Sequence, residues 1–246
     1  MSETKKRFDA LVQEMHPDLS RSYIQQCIKA GRVLVDGIAQ VRPGGLVSPT
    51  SSIELLDATP KFVSRGGFKL EAALDHFKLN VSGLVALDAG ISTGGFTDCL
   101  LQRGVTKVYG IEVGSAQVHP SIASDPRVIL RENTNLREIK SLPEPIDLAT
   151  LDLSFISLTK IIPNLAPLIK SGGMVIALIK PQFESEKHEV RRGGIINDPT
   201  IHERVKKNVT DAFASAGFPC VDIIESPLHD SFMTNQEFLG LFKKSA

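Results

Sequence analysis

The sequence predicts an α/β protein: a doubly wound, mostly parallel sheet of seven strands, preceded by a smaller α+β module. Three observations carry that expectation. From about residue 65 onward, apolar segments of strand length alternate with helical segments, as in consecutive βα units. A glycine-rich stretch, Asp88-Ala-Gly-Ile-Ser-Thr-Gly-Gly-Phe96, separates one such strand from the next helix. A Pro-containing link, Ala58-Thr-Pro-Lys-Phe-Val-Ser64, parts these units from a short segment of different pattern.

The first module is expected over residues 5–60 and the second over 61–246. In the first, Phe8, Leu11, Val12 and Met15 have helical spacing. Ser20 is a good N-cap for a second helix over 21–30, which stops at Gly31. Residues 32–37 read as a strand and turn, with further short strands at Val47 and over 52–56. In the second module the strands are expected at 84–88, 107–112, 127–130, 148–152, 174–180, 221–225 and 238–242. The helices are expected at 68–77, 95–103, 158–169 and 200–216.

Composition sets bounds on function. With 42% hydrophobic and 23% charged residues the chain can bury a sizeable core. No apolar run approaches the ~18 residues that span a bilayer, and the first seven residues are polar, so a cytoplasmic protein with no membrane role is expected. Cys27, Cys99 and Cys220 lie far apart and the histidines form no ligand cluster, which predicts reduced thiols and no metal. Net charge is zero but uneven. Residues 1–70 hold ten Lys/Arg against seven Asp/Glu, a net of +3, and the remainder carries −3. A modest N-terminal basic excess fits a small nucleic-acid-binding module.

The loop after residue 88 is a candidate cofactor site. Gly90, Gly94 and Gly95 let the backbone turn tightly and approach a ligand, with Ser92, Thr93 and Phe96 between and behind them. Ser92 stands where a dinucleotide-binding loop needs its second glycine. The D-x-G-x-x-x-G form instead suits S-adenosylmethionine, which has no pyrophosphate to cradle. Glu112, 22 residues beyond Gly90, is placed to accept hydrogen bonds from ribose hydroxyls. Asn133 or Asn135, after the third strand, is a candidate for the adenine.

Catalytic candidates sit at strand ends, which face the ligand crevice of such sheets. Asp152 closes Leu148-Ala-Thr-Leu-Asp, and Lys180 closes the apolar run Met174-Val-Ile-Ala-Leu-Ile-Lys. A lysine ending a buried strand is unusual. A neutral lysine can take a proton from a weakly nucleophilic hydroxyl. A second cation nearby favours the neutral amine, whereas a carboxylate opposes it while orienting the side chain.

At these residues the chain resembles the hemolysin A (TlyA) family. That family joins an RNA-binding domain, first described in ribosomal protein S-four, to an FtsJ-like methyltransferase with a Rossmann-like sheet. The N-terminal likeness rests on Arg7-Phe-Asp9, Ser20-Arg21 and Ile28-Lys-Ala-Gly31-Arg-Val-Leu-Val-Asp-Gly37. The C-terminal likeness rests on Val63-Ser-Arg-Gly-Gly-Phe-Lys69-Leu, the loop 88–97, Leu151-Asp152-Leu-Ser-Phe-Ile-Ser157, Ile179-Lys180-Pro-Gln-Phe-Glu184, Gly193-Gly-Ile-Ile-Asn-Asp-Pro199 and Asn235-Gln-Glu237-Phe-Leu. The resemblance implies 2′-O-methylation of ribosomal RNA from S-adenosylmethionine. It implies a catalytic set of Lys69, Asp152, Lys180 and Glu237, with Asp152 also close to the cofactor's methyl group. It implies RNA contacts from Arg7, Arg21, Lys29, Arg32 and Arg65, and a ribosomal RNA or subunit as partner. Three positions depart from the family pattern: Ile91 replaces a smaller residue, Glu112 replaces aspartate, and the segment 229–235 lacks the usual glycines and lysine. Two other readings are a non-catalytic RNA-binding or ribosome-assembly factor and a membrane-active hemolysin. Nothing in the sequence marks an oligomeric state.

Overall fold

The computed structural model describes residues 5–17, 19–29, 31–56, 61–186, 188–190, 194–228 and 235–245. Ala30, residues 58–60 of the expected link, Gly193 and residues 229–234 of the atypical segment lie outside the described residues. The chain divides into two compact units, Met1–Ser64 and Arg65–Ala246.

The N-terminal unit opens with β1 (Lys6–Arg7), α1 (Phe8–Met15) and α2 (Arg21–Lys29). Apolar positions of the two helices, including Phe8, Val12, Ile24 and Ile28, form its core with Leu19, Val33 and Val35. Ser20 caps α2: its Oγ accepts from the Tyr23 amide at 3.2 Å. Then follow β2 (Val33–Val35), β3 (Ile38–Ala39), β4 (Leu46–Val47) and β5 (Ile53–Leu55). β3 and β5 flank β2, and β4 pairs with β1. Asp36 and Gly37, with φ of 51° and 79°, make the two-residue turn that joins β2 to β3.

The C-terminal unit contains α3 (Gly66–His76), β6 (Val85–Ala89), α4 (Gly95–Gln102), β7 (Lys107–Ile111), α5 (Pro120–Ala123), β8 (Val128–Arg131) and β9 (Ile146–Leu151). It continues through α6 (Ile162–Leu165), β10 (Ile169–Ile179), α7 (Pro181–Glu184), α8 (Pro199–Ser215), β11 (Cys220–Glu225) and β12 (Phe238–Lys243). The strands form one seven-stranded sheet in the order β11-β12-β10-β9-β6-β7-β8. β12 alone runs antiparallel to its neighbours. The α/β class and the mostly parallel, seven-stranded sheet expected from the sequence are both present.

One expected element is corrected. Residues 158–169 do not form a single helix. They break into a 3-10 turn at Leu158–Lys160, the short α6, and a second 3-10 turn at Ala166–Leu168. Pro163 and Pro167 are the cause, since each lacks the amide that a continuing helix needs. Ile169, expected in the helix, opens β10 instead.

Strand order reverses between β6 and β9, and such a switch point opens a crevice at the C-terminal strand ends. Beneath it lies Asp88, fully buried. Its carboxylate accepts from the hydroxyls of Thr97 at 2.7 Å and Thr150 at 2.9 Å, so it ties β6 to α4 and to β9. Burial pushes this carboxyl up to about 6; the two hydroxyls oppose the shift and the charge of Asp152 adds to it. The folded value lies above the unfolded one, so folding favours the protonated acid. That contribution is complete below about pH 4 and is lost as pH rises through about 6. Asp88→Asn is neutral at every pH. In thermal melts it is expected to gain on the wild type as pH rises from about 4 through 6, by at most roughly 3 kcal/mol; parallel pH profiles would contradict this.

Candidate active site

The loop after β6 is shaped by backbone contacts that its residues permit. A Cβ on Gly90 (φ 80°) would lie 2.6 Å from the Asp152 carbonyl, so only glycine lets the loop cross so near the end of β9. Gly94 (φ 98°) precedes α4, and a side chain there would press on Ile122 at 3.0 Å. Ser92 holds a left-handed φ of 49°, and its amide donates to Glu112 Oε2 at 2.9 Å. Glu112 Oε1 accepts from the Gly114 amide, also at 2.9 Å. The acid at the end of β7 thus clamps two loops while facing the crevice.

That crevice has a volume of about 520 Å³ and is lined in part by Gly90, Ser92, Glu112, Val113, Asn135, Asp152 and Phe155. The size suits a small-molecule ligand. Its lining suits S-adenosylmethionine: an acid for ribose hydroxyls, exposed apolar surface at Val113 for a flat base, and the Asp152 carboxylate for a positively charged end. Other expected cofactor residues act from behind. Asp88 is sealed beneath the loop, the Thr93 carbonyl accepts from the His119 amide, and Gly95 and Phe96 are buried at the start of α4. Of the two asparagines, Asn135 lines the crevice, whereas Asn133 holds φ 51° and donates its amide to the Gly114 carbonyl.

The four catalytic candidates gather at one end of the sheet in two ion pairs. Lys180 Nζ lies 2.6 Å from Asp152 Oδ1 and also donates to Ser154 Oγ at 3.2 Å. Lys69, on α3, pairs with Glu237. Strand register explains the assembly. Ile179 and Phe238 face each other across β10 and β12, so Lys180 and Glu237 stand at opposite positions just beyond that ladder. Leu151 faces Ala177 across β9 and β10, which puts Asp152 at the same edge. The Lys180 side chain is only 10% exposed and those of Lys69 and Glu237 17% and 16%, so both pairs are largely withdrawn from water.

Three residues around this site were not singled out from the sequence. Ser154 is the second partner of Lys180. Phe155 is 90% exposed at the crevice, holds φ 64°, and has its ring centroid 5.1 Å from that of Phe183. Glu184, half-buried, has its carboxyl pushed up by desolvation and accepts from the Ser157 hydroxyl at 2.6 Å and the Leu158 amide at 2.8 Å. It anchors the segment that carries Asp152, Ser154 and Phe155 to α7. All three lie inside the quoted motifs, but an exposed aromatic or a loop anchor has no signature apart from its surroundings.

In the N-terminal unit Arg7, Arg21 and Lys29 are exposed and Arg32 is half-buried, donating to Tyr23 Oη at 3.3 Å. Arg65 is exposed immediately before α3, four residues ahead of Lys69.

Residues 62–243 match the model of the FtsJ-like methyltransferase family, and residues 6–49 match that of the S4 domain. The 16S/23S rRNA (cytidine-2′-O)-methyltransferase TlyA of Mycobacterium tuberculosis is 38% identical over 225 residues, which is 90% of this chain and 84% of the relative. Hemolysin A of Brachyspira hyodysenteriae is 37% identical over 242 residues, covering 96% and 99% of the two chains. Among the described residues no helix is long and apolar enough to cross a membrane. A solved structure from Streptococcus thermophilus, provisionally named a hemolysin, superposes with a TM-score of 0.75 at 35% identity, covering 99% of this chain and 90% of that one. The fold, the strand-end lysine pairs and these relatives agree: the chain belongs to the FtsJ-like methyltransferase family and, within it, to the TlyA/hemolysin A group.

Proposed function

We propose that this protein methylates a ribose 2′-hydroxyl of ribosomal RNA with S-adenosylmethionine as donor, and that Lys69, Asp152, Lys180 and Glu237 carry the reaction. The observation behind the assignment of residues is the pair of lysine–carboxylate contacts at adjoining strand ends, one of which, through Asp152, reaches the crevice lining.

S-adenosylmethionine, when bound, supplies a methyl group on a sulfonium, which leaves without needing a proton. The demand on the protein is therefore at the acceptor. A 2′-hydroxyl is a poor nucleophile near neutral pH, and its proton must depart as the new carbon–oxygen bond forms. Lys180, in its neutral form, takes that proton at Nζ. Asp152 and Ser154 fix where this nitrogen points. Lys69, held by Glu237, sets a positive charge beside the oxygen as negative charge develops on it, which is worth most where water is excluded. Holding the hydroxyl in line with the methyl carbon supplies much of the remaining acceleration.

Glu112 receives the ribose hydroxyls of the cofactor, Asn135 the adenine, and Val113 covers the base. The S4 domain holds structured RNA by shape and backbone contacts, with Arg7, Arg21, Lys29 and Arg32 meeting phosphates and Arg65 doing so ahead of α3. A cytoplasmic location goes with a ribosomal substrate.

Transfer from tritiated S-adenosylmethionine to ribosomal subunits tests the reading. Label is expected at a single nucleotide and to protect the adjoining phosphodiester from alkali; label on a base would contradict it. Lys180→Ala is expected to slow transfer by on the order of 10²–10⁴-fold, while calorimetric titration with S-adenosylmethionine remains close to wild type. An active Lys180→Ala enzyme would remove Lys180 from the proposed role. Absence of cofactor binding by the wild type would favour a non-catalytic RNA-binding factor.

A further inference from the structure

We propose that Asp9 is a positioning residue for RNA binding: buried in the first turn of α1, it gathers Arg7 and Arg21 into one pre-set, phosphate-binding fork. This rests on the RNA-binding reading of the S4 domain and adds a requirement to it.

Asp9 is fully buried, and its carboxylate accepts five hydrogen bonds. Its Oδ1 accepts from Arg7 Nε at 3.0 Å. Its Oδ2 accepts from Arg7 Nη2 at 3.0 Å, Arg21 Nε and Nη2 at 3.3 and 3.0 Å, and Gln25 Nε2 at 2.7 Å. The two guanidinium groups come from different places in the chain: Arg7 precedes α1, and Arg21 begins α2. The acid holds both. The backbone beneath them is pinned as well, because the amides of Phe8 and Asp9 donate to the carbonyls of Gly45 and Pro43 at 2.8 and 2.9 Å.

Each arginine is spent only in part. Two of the five N–H groups of each guanidinium are engaged by Asp9, and both side chains are 55% exposed. The cluster has two positive charges against one negative, so it keeps a net charge of +1. The unused N–H groups of two planar forks, fixed relative to each other, match the tetrahedral oxygens of a phosphodiester. Long side chains lose rotamer freedom when they bind a phosphate. Here the protein has already restricted that freedom before RNA arrives.

Asp9→Asn removes a negative charge and raises the net charge of the unit by one. If Asp9 only neutralised the arginines or supported the helix, the folded variant would bind RNA as well as the wild type or more tightly. If Asp9 positions the fork, binding weakens despite the added positive charge.

The test is filter binding of the full-length chain to purified bacterial ribosomal RNA across a salt series, at temperatures below each variant's melt. Asp9→Asn is expected to weaken binding on the order of tenfold. Introduced into an Arg7→Ala/Arg21→Ala background it is expected to cause no further loss, since nothing remains to be positioned. Should Asp9→Asn fail to fold, the charge-conserving pair Arg7→Lys/Arg21→Lys serves instead. It is expected to lose about the same factor, because an ammonium on a flexible stem cannot hold the paired geometry. Unchanged or tighter binding by Asp9→Asn, or wild-type affinity in the double lysine variant, would overturn the proposal while leaving RNA binding intact. Failure of the wild type to bind ribosomal RNA would overturn both.

Discussion

The contact between Lys180 and Asp152 depends on two parallel neighbouring strands that end at the same edge of the sheet. β9 and β10 are neighbours, with Leu151 facing Ala177, and β9 borders the point where strand order reverses. A lysine and an aspartate so placed are largely withdrawn from water, and each gives the other a polar partner there. β12 returns antiparallel on the far side of β10, which delivers Glu237 opposite Lys180 and gives Lys69 its partner. The other features of the site serve this edge. Gly90 lets the loop pass over the end of β9, and Glu184 braces the segment that follows it.

The two departures from the family pattern at the cofactor loop are absorbed by local packing. Ile91 is buried over Gly110: a Cβ there would lie 2.6 Å from the Ile91 side chain, so the missing side chain on β7 makes the room. The larger residue therefore turns toward the sheet. Glu112, in place of aspartate, carries one more methylene, and its two oxygens bridge the amides of Ser92 and Gly114. The third departure, the segment before Asn235, ends in a residue with a clear structural task. The Asn235 carboxamide accepts from the Ile196 amide and donates to the Gly194 carbonyl, joining the approach to β12 to the stretch before α8.

The fold was largely legible in the sequence because local rules dominate it. Apolar runs ending at Asp88, Glu112 and Asp152 are strands, and Ser20 and Gly31 bound a helix. The stretch 158–169 misled because its leucines and isoleucines have helical spacing while Pro163 and Pro167 forbid the hydrogen bonds. The site was legible only in part. Asp152 and Lys180 announce themselves as charges at the ends of apolar strands. The pairing of Lys69 with Glu237, across 168 residues, follows from register and topology and has no local signature; only the family resemblance pointed to it. That Asp88 supports the loop from below, and that Arg7 and Arg21 share one buried acid, became visible only with the packing in view.

In the proposed reaction Lys180 and Asp152 act as one unit on the ribose hydroxyl. Single-turnover methyl transfer by Lys180→Met, Asp152→Asn and the double variant tests it most directly, at saturating S-adenosylmethionine and ribosomal RNA. Strong non-additivity is expected, with the double variant no slower than the slower single variant. Rate losses that simply multiply would mean that the two side chains act independently, and would contradict it.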